Sequence, residues 1–176
     1  MCLTDILLAE HQHIDRLIRL LSTSVNHQKQ GQMLYPDFFI NAARFIRVYA
    51  DGIHHRKEEG ILFPIIAPGM TKAVVALVGE HEIARGFTRD MAEAAHAWQN
   101  GDTTAALETV KNARNYAALM HDHILHENGV VFPATNWLIT SSEQSRMDDM
   151  VGNLDMGSDD VNQTLSLLDT LEAQLV

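Results

Sequence analysis

The chain has 176 residues, 46% of them hydrophobic, and a formal charge of -10. That suffices for one domain with a real core, is short for two, and excludes a disordered chain. The acidic balance argues against nucleic acid or an anionic membrane as partner, and the single cysteine, Cys2, excludes an intramolecular disulfide or a cysteine metal cage.

The start, "MCLTDILLAEH", has no basic leader, and Asp5 and Glu10 interrupt its apolar run, so it does not read as a signal peptide. Apolar residues then recur at spacings of three and four through Ile6 or Leu7, His11, Ile14, Ile18 and Leu21, which predicts a first helix over 4–28. "GQMLYPD" breaks it. Pro36 suits the first turn of a second helix, which runs through Phe39, Ala43, Ile46 and Tyr49 to about residue 63. "PIIAPG" is expected to end that helix, and the apolar run around it is too short and too proline-rich to span a membrane. A third helix is predicted over 71–99. After the turn "NGD", with Asp102 as N-cap, a fourth covers 103–132.

Strand alternation is poor. Four long amphipathic helices with short connections predict an all-α, up-down antiparallel four-helix bundle over 1–137. The remainder, 138–176, reads as a helical extension: a start at "TSSEQ", a linker at "DMGSDD" with a cap at Ser158, then a stripe of Val161, Leu165, Leu168 and Leu171 or Leu175. That stripe would pack on the bundle or on a second copy, giving a homodimer through the C-terminal helix. Met147, Met150 and Met156 read as gap-filling packing residues. The whole is expected to be soluble and cytoplasmic.

Ten histidines outnumber each of Phe, Tyr and Trp, which raises metal binding before any motif is read. The chain also repeats itself. "HHRKEEGILFP" from His54 and "HILHENGVVFP" from His123 share His, Glu, Gly and Phe-Pro in register. "LLAEHQHI" around His11 matches "LVGEHEIA" around His81. The copies lie 70 residues apart at His11 and His81, and 69 apart at His54 and His123. The bundle therefore reads as two helix hairpins, each with a His on its first helix and His-x-x-x-Glu on its second. Residues four apart on a helix face one side, so His54 with Glu58, and His123 with Glu127, can each address one point. His11 and His81 stand on apolar stripes and should face inward. Four His and two Glu brought to a bundle centre without a partner would cost several kcal/mol, and a metal centre removes that cost. If both Glu bridge two ions, each ion has four protein ligands. Open positions and mixed His and carboxylate donors favour two iron ions over manganese or zinc.

These phrases resemble the ligand motifs of the hemerythrin-like family, specifically the bacterial HHE cation-binding domains, over about residues 5–135. The resemblance implies a four-helix bundle with a non-heme di-iron centre that meets dioxygen, peroxide or nitric oxide. It also implies metal ligation by His11, His54, Glu58, His81, His123 and Glu127. Oxygen-carrying hemerythrins place two histidines four apart on the third helix. Here Leu77 precedes His81 and Arg85 follows it, so one ligand is missing or another residue supplies it. That departure argues against simple reversible oxygen carriage.

Other residues divide more plainly. His13, His55, His121 and His126 lie outside the repeat register and read as surface residues or neighbours of ligands; His27 and His96 read as exposed. Glu59 reads as a solvated neighbour. Glu10 and Glu80 read as helix-surface charges, with orientation of a ligand His as the alternative. Arg85 reads as a salt-bridge residue, Tyr49 as core with a redox role as alternative, and Phe63 and Phe132 as apolar lids. The function expected is small-ligand binding with redox turnover, such as peroxide decomposition or nitric oxide detoxification, fed by an electron donor that the sequence does not name. The alternative is a non-catalytic binding, storage or sensing protein.

Overall fold

The computed structural model describes residues 2–154 and 158–175, with side chains for 2–154 and 161–175. The first half of the expected linker "DMGSDD", with Met156, and the Ser158 side-chain cap lie outside the described residues, while its last three residues open the final helix instead of linking. All regular structure among the described residues is helical.

Helix α1 is Leu3–Lys29, and it buries the predicted face of Leu7, His11, Ile14, Ile18 and Leu21. The chain leaves it through Gly31 at φ 71°, the left-handed conformation that glycine adopts without a Cβ penalty. Helix α2, Pro36–Phe45, starts on the predicted proline and runs on without a break through π-helical stretches at Ile46–His55 and Glu58–Leu62. Helix α3 is Phe63–Gln99. Here the sequence expectation fails in part. "PIIAPG" stays helical, because Pro64 sits in the first turn, where no backbone N–H is needed. The break comes just beyond Pro68 and Gly69, at Met70, whose φ of -136° and ψ of 35° are non-helical. By length and composition alone, one apolar window within Pro36–Gln99 would cross a membrane. That stretch is interrupted by the Met70 kink and sends Leu77 into the core.

Helix α4, Ala105–His126, is followed by a π-helical turn, Glu127–Val131, and by α5, Phe132–Leu138. Asp102 acts two residues ahead of the cap: its carboxylate accepts from the Thr104 N–H at 3.0 Å and from the Thr104 hydroxyl at 2.6 Å. Leu138 of α5 lies so close to Gly69 that a Cβ there would meet its methyl at 2.7 Å. Helix α6, Ser141–Gly152, begins at the predicted place with a reciprocal Thr140–Glu143 capping box. Helix α7, Ser158–Ala173, packs on this chain's own α1 and α2, burying Leu168 and Leu171 completely. Arg16 ties it down through Asp169 and Glu172. Met147 is buried as expected, but Met150 is 39% exposed and fills no gap.

Two apolar cores result. One holds Ile14, Phe39, Ile53, Ala84, Met91, Met120 and Leu168. The other holds Leu3, Leu7, Ile61, Phe63, Leu77, Val131, Phe132 and Met147. In every long helix the passage from one core to the other occurs at a residue of the polar layer. Leu7 gives way to Ile14 across His11, Ile53 to Ile61 across His54, Leu77 to Ala84 across His81, and Ile124 to Val131 across Glu127. Each large apolar side chain in these cores contributes about 1.5–3 kcal/mol by leaving water. The layer between them is polar, and this is where the chemistry sits.

Candidate metal centre

The structure brings together all six residues expected from the sequence, each at most 3% exposed, in two overlapping groups. His11, His54, Glu58 and Glu127 form one; His55, Glu58, His81 and His123 form the other; within each, the donor atoms lie within 4.8 Å of one another. Glu58 belongs to both. Its Oε1 is 3.2 Å from His54 Nε2 and its Oε2 is 3.5 Å from His81 Nε2. Glu127 Oε2 likewise stands 3.2 Å from both His11 Nε2 and His123 Nε2. Both carboxylates thus lie between the two groups.

His55 corrects the sequence reading, which placed it at the surface or beside the ligands. It is fully buried, its ring stacks on His81 with centroids 3.7 Å apart, and its Nε2 has no hydrogen-bond partner. In an α-helix His54 and His55 would point about 100° apart. The π-helical stretch Ile46–His55 has a wider turn, which narrows that angle and lets both rings reach the centre. The repeat explains the rest. Both π turns at Glu58–Leu62 and Glu127–Val131 begin on the paired glutamates, but the Ile46–His55 stretch has no π-helical counterpart in α4. The place matching His55 is Ile124. The histidine absent from the third helix thus has a counterpart in space on the second.

All five rings are anchored from outside through Nδ1. His11 donates to Asn128 Oδ1 at 2.8 Å and His54 to Glu10 Oε2 at 3.1 Å. His55 donates to Asp51 Oδ1 at 2.9 Å, His81 to Glu59 Oε1 at 2.7 Å and His123 to Glu80 Oε2 at 2.7 Å. With the proton on Nδ1, each Nε2 turns a lone pair inward. His81 Nε2 and His123 Nε2 then face each other at 3.1 Å, two acceptors with no proton between neutral rings. Both oxygens of Glu58, both of Glu127, and Nε2 of His11, His54 and His55 are buried without hydrogen bonds. So many inward acceptors cost several kcal/mol unless cations satisfy them. The donor set fits a pair of metal ions. Phe132 stacks on His11 and Phe63 on His81, closing the layer as the expected lids.

A family model described as the hemerythrin HHE cation-binding domain matches residues 2–135. The chain belongs to this family. No curated protein and no solved structure matches it.

This hemerythrin HHE domain carries its outer contacts in a pattern that motif spacing alone did not give. Glu10 and Glu80 are ring anchors, so the alternative reading of them holds. Glu59 is an anchor too, contrary to its reading as a solvated neighbour. The signal was in the repeat: each Glu preceding a first-helix His holds the His of its own hairpin's second helix. Arg85 is the salt-bridge residue expected, joining Glu59 at 2.7 Å, Glu82 at 2.6 Å and Asp51 at 3.4 Å. Lys57, 2% exposed, holds Glu10 at 2.5 Å. His13 is partly exposed against Tyr49, which is core, and His121 and His96 are exposed.

The protein's own charges foreshadow the cation. Burial opposes a charged His54, but Glu58, Glu10 and Glu127 outweigh it and lift its pKa to about 10. His123 is lifted against burial to about 9, chiefly by Glu127 and then Glu58 and Glu80. Burial and the neighbouring imidazoles push His55 and His81 down. Burial and the Glu127 charge push Glu58 up. The His11 and His123 rings, each 3.2 Å away, overcome burial and hold Glu127 well below the usual carboxylate range. The raised histidines bind protons in the folded state that the unfolded chain has released above its ordinary value of 6.5. Their stabilisation is full below 6.5 and is lost as pH rises through about 9 and 10. Metal-free protein is therefore expected to lose stability in denaturant unfolding between pH 7 and pH 10. A flat or rising profile would show that His54 and His123 are not held charged.

Proposed function

We propose that this chain is a di-iron protein that binds a small oxygen-derived ligand (dioxygen, peroxide or nitric oxide) and turns it over by redox chemistry. His11 and His54 would hold one ion, and His55, His81 and His123 the other, with Glu58 and Glu127 between them. The observation that carries the reading is the convergence of five imidazole Nε2 atoms, each fixed through Nδ1, on two shared carboxylates. Nitrogen-rich donors with carboxylate bridges and open positions suit iron better than zinc in a closed structural site. The reading includes an up-down course for the four long helices, supported by their alternating passage between the two cores, and a domain over 1–137 with an appended helical tail.

Bound iron would supply Lewis acidity and electrons. The chain supplies charge balance and orientation, and net reduction of a ligand would draw its electrons from a separate donor. Glu58 and Glu127 bring negative charge to offset the cations. Glu10, Asp51, Glu59, Glu80 and Asn128 fix ring tautomer and direction. The two-histidine half has Ile124 where the other has His55, so it has one fewer nitrogen donor and the better claim to an open position. A groove of about 470 Å³ lined by His11, Leu8, Ile124, His121 and Asn128 leads to this half from outside. It fits a molecule of a few atoms, and Leu8 and Ile124 make part of its wall apolar.

Elemental analysis after native purification is expected to give two iron ions per chain, with a visible absorption that differs between protein prepared in air and without air. One zinc ion or no metal per chain would overturn the reading. Consumption of added peroxide or nitric oxide separates turnover from a non-catalytic binding or storage protein, which would change its spectrum without consuming either.

A further inference from the structure

We propose that the two halves of the centre differ in affinity, and that the half built from His55, His81 and His123 takes its metal first. The proposal rests on the metal-centre reading above and adds an order to it.

The argument is one of broken symmetry. The two hairpins repeat the ligands, yet three paired positions have diverged. His55 corresponds to Ile124, Asp51 to Met120 and Glu59 to Asn128. All three differences favour the same half. It gains a third ring, and its three rings are anchored by three carboxylates: Asp51 on His55, Glu59 on His81 and Glu80 on His123. The other half has two rings, one anchored by the Glu10 carboxylate and one by the neutral Asn128 amide. A carboxylate on Nδ1–H pushes electron density towards the inward nitrogen and adds negative charge near the cation; an amide does this more weakly.

The cations around the centre do not cancel the difference. Lys57 offsets Glu10, the only outer carboxylate of its half. Arg85 offsets one charge of three, while its guanidinium pins both Asp51 and Glu59 behind the stacked His55 and His81 rings. The three-histidine half thus has the extra donor, the more anionic surround and the more rigidly held rings. An outer partner of this kind changes metal affinity by about 10–100-fold.

The test is titration of the full chain, stripped of metal by a chelator, with cobalt(II) under nitrogen, followed by heat and visible absorption. Two steps of one ion each are expected, at least about tenfold apart in affinity. Asp51→Asn is expected to weaken the first step alone. Asn128→Asp, a conservative change at an exposed position, is expected to strengthen the second step by about tenfold or more and leave the first unchanged. Uptake of both ions in one step of equal affinity would overturn the order, as would Asn128→Asp strengthening the first step. Those outcomes would leave the metal centre standing, whereas failure to bind cobalt at all would overturn both.

Discussion

Removing the metal is expected to lower the melting temperature of this protein on the order of 10 °C. Seven ionisable side chains lie in one layer between two apolar cores, and the inward atoms of His11, His54, His55, Glu58 and Glu127 have no hydrogen-bond partner. A ligand present at about 1,000 times its dissociation constant and bound only to the folded state stabilises it by about 4 kcal/mol. For a domain of this size each kcal/mol moves the transition by about 2–4 °C. The metal-free chain does not simply unfold, because protons partly replace the cations: His54 and His123 are held charged against Glu58 and Glu127. That substitution is incomplete, since His55 and His81 are pushed towards neutrality and His55 Nε2 keeps no partner. Calorimetry before and after chelation at one pH measures the difference. An unchanged transition would mean that the polar layer is stable without an ion and that the site is not central to the fold.

How far the sequence could be read depended on what kind of signal each residue left. His11, His54, Glu58, His81, His123 and Glu127 are legible because each has a counterpart 69 or 70 residues away, and because helical spacing tells which of them share a face. The helices were found because their apolar stripes are continuous. His55 left neither signal. It has no partner in the second hairpin, and α-helical geometry turns it away from His54. Only the π-helical stretch Ile46–His55 brings both rings inward, and nothing in the hydrophobic pattern announces a change of helix type. Asp51 and Asn128 were missed for a related reason: they anchor rings through hydrogen bonds that become visible only once the rings are placed. The break falls at Met70, later than the two prolines of "PIIAPG" imply, because Pro64 lies in the first turn of α3 and is compatible with a helix there.

Glu58→Ala and Glu127→Ala are expected to cost the protein at least one of the two metal ions proposed above, whereas His13→Ala keeps both. Each glutamate stands between the two halves, so each truncation removes a donor from both ions and a negative charge that offsets theirs. The loss in affinity should exceed the roughly 10–100-fold typical of an outer partner. His13 is the proper control, because it is two residues from His11 yet lies partly exposed with its ring edge-on to Tyr49. His55, although outside the repeat register, stands with the donors instead, and His55→Ala is expected to lose the ion of the three-histidine half. Glu59 supplies the sterner comparison. It neighbours Glu58, but it holds His81 from outside and is 31% exposed, so Glu59→Ala should weaken binding while leaving the centre filled at excess metal. Metal content and visible absorption of these variants, prepared in parallel, decide the matter. A Glu58→Ala protein that keeps both ions beside an empty Glu59→Ala protein would show that the second helix presents the other carboxylate to the metal, and the assignment of both bridges would fall with it.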